Sequence, residues 1–220
     1  MATNTKQTST KEQRKGNAMP FRIASWILWA LAIVCEIVAI CVLNGKIYVE
    51  DDKLTMWLII PLVVDFILVI VAGQLWKKGN DLDPASKANK FKFFVQNQLG
   101  LIMALVCFVP IIILLLTNKD LKGQTKKIVT IVAVVMLVIA SLFSIDWNPV
   151  SAEERAAATS FAGAQGVSEV YWTRFGKSYH FDRDCQSLKN SIDSNIFGGS
   201  IDEAFDANRN DPCDFCVPQE

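Results

Sequence analysis

His180 is the only histidine in the 220 residues. It stands five positions before Cys185, and the sequence Cys213-Asp214-Phe215-Cys216 lies close to the end of the chain. Imidazole nitrogen and thiolate sulfur are the ligands that tetrahedral zinc prefers, and a closed site takes four of them. This stretch supplies one imidazole and three thiols, with none to spare. Three cysteines are an odd number, which suits a metal site better than a disulfide framework. The residue types and spacing therefore predict that His180, Cys185, Cys213 and Cys216 bind Zn2+. Four protein ligands leave no position for a reactive water, so the metal is expected to be structural. The competing reading is a reactive dithiol at Cys213 and Cys216.

A second group with chemical potential lies far from the first. Glu36 and Asp65 interrupt apolar runs that contain no Lys or Arg to pair with them. An antiparallel hairpin brings the two to similar depth. Carboxyl groups in such surroundings are protonated, share a proton or bind a cation. The plainer alternative is a pair of neutral acids hydrogen-bonded inside a bundle, fixing its packing. Cys35, Cys41 and Cys107 also lie in apolar runs and behave as small hydrophobes.

Hydrophobic residues make up 51% of the chain, and the formal net charge is zero. Four apolar runs, at about 23–43, 57–76, 93–117 and 128–145, fill the first two thirds. At about 1.5 Å of helix rise per residue, roughly 20 residues cross a hydrocarbon core of about 30 Å. Four such runs leave almost no polar face for water, and only helices or closed barrels satisfy their backbone in lipid. The expected fold class is an α-helical membrane protein with four transmembrane helices and a small α+β zinc-binding C-terminal domain. Residues 1–20 are polar and aperiodic, and are expected to be a disordered basic tail. The transmembrane domain spans 21–146, a helical linker 147–166 and the zinc-binding domain 167–220. Trp26, Trp29, Trp57, Trp76 and Trp147 fall near the predicted interfaces, where amphipathic aromatics collect. The first run follows a polar tail and lacks a cleavage pattern, so it is expected to anchor the chain.

With both termini inside, and counting as far as Arg155, eleven basic residues fall on the inner side and six on the outer. The positive-inside rule then places both termini in the cytosol of a multi-pass plasma membrane protein. Cytosolic thiols stay reduced and available to metal. Asp83-Pro84 reads as the start of the third helix, and Asp146–Pro149 as the end of the fourth. Ser151 with Glu154, and Ser200 with Glu203, have the spacing of capping boxes. Val170–Thr173 and Lys177–His180 read as two short strands around a turn at Gly176. A domain of this size buries little core, and a metal would stabilise it.

The pattern Tyr179-His180, Cys185, Glu203-Ala204, Pro212-Cys213, Cys216 and Pro218 resembles the Ada-type metal-binding domain over roughly residues 169–218. The whole chain resembles bacterial four-helix inner-membrane proteins that carry this tail and have no assigned activity. In the Ada repair protein a cysteine thiolate at the first ligand position accepts a methyl group. This chain has His180 there, so alkyl transfer is not implied.

Residues 167–220 hold five Lys/Arg against ten Asp/Glu, a net charge of −5. Phosphate binding needs a basic footprint, so nucleic acid is disfavoured. The acidic domain instead complements the basic N-terminal tail and the basic second loop, Lys77–Lys92, and is expected to dock there. No phosphate loop, no nucleophile with a base and no open metal site occur, so an enzyme is not expected. The expectation is a bilayer-anchored binding, scaffolding or sensing module that meets a protein partner through its C-terminal domain. The alternative is a small proton- or cation-coupled transporter or channel using Glu36 and Asp65.

Overall fold

The structure, a computed structural model, describes residues 10–121 and 123–216. It divides into two compact units. One comprises Met19–Gly79 and Phe94–Trp147; the other takes the chain through Ala18, Asn80–Phe93 and the chain from Asn148 onward.

Four helices are long and apolar enough to cross a membrane: α1 (Lys11–Leu43), α2 (Leu54–Leu82), α4 (Leu99–Thr117) and α5 (Gly123–Ser144). A short helix, α3 (Lys90–Asn97), precedes α4. The four runs in the sequence thus form helices, with bounds that differ from the expected ones. The helix α1 starts at Lys11, so residues 11–20 are helical rather than irregular. The local cause is a reciprocal cap. The Gln13 amide donates to Thr10 Oγ1 at 3.3 Å, and the Thr10 amide donates to Gln13 Oε1 at 2.8 Å. Residues 1–9 of the expected tail lie outside the described residues. The third expected helix is two pieces broken at Gln98 and does not begin at Pro84. Glu153 accepts hydrogen bonds from the Ser86 hydroxyl and the Lys87 amide. These hold the turn, and Asn89 Oδ1 caps α3 by accepting from the Lys92 amide at 3.0 Å.

In the helical unit, outward positions are as apolar as inward ones. Ile27, Val34, Ile60, Ile67 and Ile131 are all more than half exposed. Such a surface suits lipid, which offers no penalty to Leu or Ile. Packing must then come from close fit. An added Cβ at Gly73 would meet Ser144 Oγ at 3.0 Å, and one at Gly100 would meet the Ser144 carbonyl at 3.1 Å. Small residues at these positions let α2, α4 and α5 approach closely. Trp29, one of the expected interfacial tryptophans, faces into the bundle. It is fully buried and packs against Trp26 and Trp76, at centroid distances of 5.5 Å in both cases.

The second unit contains α6 (Ala152–Ala164), β1 (Val170–Thr173), β2 (Ser178–His180), β3 (Ile196–Gly199), α7 (Ile201–Asp206) and β4 (Asp211–Pro212). Both expected capping boxes form, at Ser151 with Glu154 and at Ser200 with Glu203. The strands make one sheet in the order β3-β1-β2-β4. β1 pairs antiparallel with β2 (Tyr171 opposite His180) and with β3, while β4 runs parallel to β2. Val170, Trp172, Tyr179, Ile201, Ala204 and Phe205 form its core.

Candidate metal centre

The four candidate ligands come from three local structures. His180 ends β2, one residue after the buried Tyr179. Cys185 sits in a turn shaped by Asp182, whose Oδ1 accepts from the Asp184 amide at 2.9 Å. The Cys185 amide donates to the Asp182 carbonyl at 3.2 Å. Cys213 follows β4, and its amide donates to the Tyr179 carbonyl at 3.0 Å, which carries the β2 pairing into the knuckle. The turn then closes with the Cys216 amide donating to the Cys213 carbonyl at 3.3 Å. Pro218 lies outside the described residues, so only Pro212 is seen flanking the knuckle.

These turns bring the four ligand atoms within 4.8 Å of one another. The Sγ atoms of Cys185 and Cys213 are 3.8 Å apart, as are Cys216 Sγ and His180 Nδ1. A tetrahedral zinc with sulfur at about 2.3 Å and nitrogen at about 2.0–2.1 Å requires edges of roughly 3.8 Å between sulfurs and roughly 3.6 Å between sulfur and nitrogen. The observed edges fit those values. His180, Cys185 and Cys213 are buried, and Cys216 is partly so. Leu188 and the flanking Tyr171 and Ile196 pack around the thiols.

The electrostatics suit a bound cation. Burial works upward on the Cys213 thiol. Backbone amides of Phe215 and Cys216 and the Ser187 hydroxyl act against it, and the net effect is below the ordinary value. Cys216 is pushed up to about 12, first by burial and also by Cys185 and the Cys213 charge. The Phe181 and Asp182 amides pull it the other way. Amide donors aimed at sulfur stabilise thiolates, while neighbouring thiolates repel each other, and a divalent ion relieves that repulsion. Burial lowers the His180 imidazole, which favours the neutral form that binds metal. Among the described residues these four form a group that could hold a metal ion.

Two contributors escaped the sequence reading. The amide donors to sulfur carry no residue signature. The other is Arg155, which is 2% exposed. Its Nε donates to Asp202 Oδ1 at 2.9 Å, and its Nη2 donates to Asp206 Oδ1 at 2.7 Å. Nη1 donates to the Asp81 carbonyl at 2.7 Å. Arg14 lies 3.9 Å from Asp202. The linker helix, the end of α2 and α7 thus meet on one guanidinium. Lys87 of the second loop pairs with Glu154 of α6, in the linker and outside the acidic stretch 167–220.

Glu36 and Asp65 are also buried, at 5% and 0% exposure, in the helical unit. Their surroundings are separate from the His-Cys group. Comparison of the chain with protein-family models, with curated proteins and with solved structures finds no match in any of the three.

Proposed function

We propose that this chain is a multi-pass membrane protein whose C-terminal unit is a zinc-stabilised, Ada-like domain. The domain serves as a cytosolic binding, scaffolding or sensing module. The convergence of one imidazole and three thiols, with edges fitting a zinc tetrahedron, carries the reading. Zinc would supply fold stability to a unit with a small core and would leave no coordination position for substrate. The reading therefore assigns the chain no catalytic activity. Four spanning helices return the chain to the side on which it began. The positive-inside balance makes that side the cytosol, where thiols stay reduced.

A partner surface is available in the same unit. A cavity of about 530 Å³ is lined by Phe161, Phe205 and Tyr179, with Lys87, Asn210 and Asp211 adding polar groups. Apolar walls with a few convergent polar groups suit a peptide or small ligand.

The test is metal analysis of the full-length chain purified from native membranes, alongside identification of copurifying proteins. About one equivalent of zinc is expected, retained by His180→Cys and lost in Cys213→Ser together with any partner. A metal-free yet folded wild-type tail would refute the reading.

A further inference from the structure

Asp65 has neither carboxylate oxygen hydrogen-bonded among the described residues, and Glu36 Oε1 is likewise without a partner. Both residues are more than nine-tenths buried. The other side of the Glu36 carboxyl lies by the Ile111 backbone amide on α4. Glu36 and Asp65 are close enough to feel each other's charge, and Cys107 on α4 is close enough to feel both. Three helices therefore converge on two acids.

The depth follows from the ties between α2 and α5. Thr55 Oγ1 and Thr125 Oγ1 are 3.0 Å apart near one end, and Gln74 Nε2 donates to the Phe143 carbonyl at 2.7 Å near the other. Asp65 is about 15 Å along the helix axis from Thr55 and about 14 Å from Gln74. Asp65 is thus midway along a stretch of α2 about as long as a hydrocarbon core of about 30 Å is thick. A carboxylate there without a counter-charge is a costly group, and such residues mark proton or ion sites by default.

The Lys and Arg residues of the helices packed on the pair stand toward the helix ends, away from Glu36 and Asp65 in sequence. Cys35 and Cys41 are the other titratable groups within the apolar part of α1, and Cys107 is that of α4. The charged residues of α5, Lys126 and Lys127, stand near its start, where Lys126 Nζ donates to the Leu116 and Asn118 carbonyls. Those of α2, Lys77, Lys78 and Asp81, stand near its end. The two acids and Cys107 do not converge as a metal-holding group; among the described residues that property belongs to the His-Cys cluster. The smallest cation that neutralises the pair is a proton.

We propose that Glu36 and Asp65 form a proton-binding pair at the middle of the helical bundle. Each proton taken from water forms an O–H on one carboxylate oxygen and removes one negative charge. Its release returns it to water. Because the acids sense each other, the second carboxyl to ionise does so against the charge of the first.

The full-length protein in neutral-lipid vesicles tests this with dicyclohexylcarbodiimide, which partitions into lipid. A carboxylic O–H adds across its C=N bond, and the acyl group then migrates to nitrogen, giving a stable N-acylurea that mass spectrometry locates. Labelling is expected at Glu36 or Asp65, falling as pH rises. In Glu36→Gln the half-labelling point of Asp65 should move down by about one pH unit or more, because the Glu36 charge that opposes its ionisation is gone. Glu36→Ala reads the same coupling if the first variant does not fold. No labelling at any pH, labelling that ignores pH, or a half-point unmoved by either folded variant would overturn the proposal. The last outcome would leave two independent packing acids.

Discussion

Replacing Arg155 with alanine should unfold much of the C-terminal unit, although Arg155 touches none of the candidate metal ligands in the bonds described above. The side chain is 2% exposed, and that of its partner Asp202 is 6% exposed. Removing one member of a buried ion pair strands the other and costs about 3–5 kcal/mol. The variant also loses donation to the Asp81 carbonyl and the contact of the guanidinium with the Phe205 ring, 5.7 Å from its centroid. At about 0.05–0.15 kcal/mol per residue, a unit of this size has stability of the same order as the loss. Hydrogen exchange of the full-length protein in detergent reads the change directly. Amides of β1 and β2 should lose protection by a factor of about a hundred to a few thousand, taking tenfold per 1.4 kcal/mol. The loss should shrink in acid. Burial already holds the Asp206 carboxyl above its usual range, with the bond and charge of Arg155 working against it. Without the arginine, protonation of Asp206 relieves part of the penalty. A double variant with Asp202→Asn should cost less than the sum of the singles. A loss under about 1 kcal/mol, the worth of an exposed pair, would refute the reasoning.

Other outcomes follow from the same geometry. Gly100→Val should lower thermal stability in detergent by about 1–3 kcal/mol, because its side chain meets the Ser144 backbone, which cannot yield as a flexible side chain would. Burial raises Glu154, but hydrogen bonds from Lys87 and Ser151 and the Lys87 charge bring it below the ordinary value; Glu153 is lowered first by the Ser86 hydroxyl. Both acids therefore contribute stability above the usual carboxylate range that is lost as pH falls through their lowered values. Proteolysis at α6 should rise in that acid window, and Glu154→Gln should flatten the response. Ser200→Ala removes the cap of α7 and should cost about 1 kcal/mol, read as increased exchange of the Glu203 amide.

The four long apolar helices were legible because an apolar stretch of membrane length has few other ways to fold, and the His-Cys group because His180 and the tail cysteines leave little choice of neighbour. Capping boxes at Ser151 and Ser200 and the strands at Val170 and Ser178 depend on neighbours in sequence, so spacing reveals them. The start of α3 was misplaced because Asp83-Pro84 obeys a local rule that Glu153, distant in sequence, overrides through Ser86 and Lys87. The burial of Trp29 was not legible in the sequence, because it depends on Trp76 of another helix.

Sequence by itself determined which segments are apolar enough for lipid, where helices are capped, and which donor set a metal could use. These are properties of residue type and short spacing. The tertiary structure decided that one imidazole and three thiols come within 4.8 Å of one another, that Arg155 joins three segments, and that Glu36 and Asp65 are buried with carboxylate oxygens left without hydrogen-bond partners among the described residues. Those depend on how distant segments pack, and packing free energy is a sum over contacts that no single stretch of chain contains.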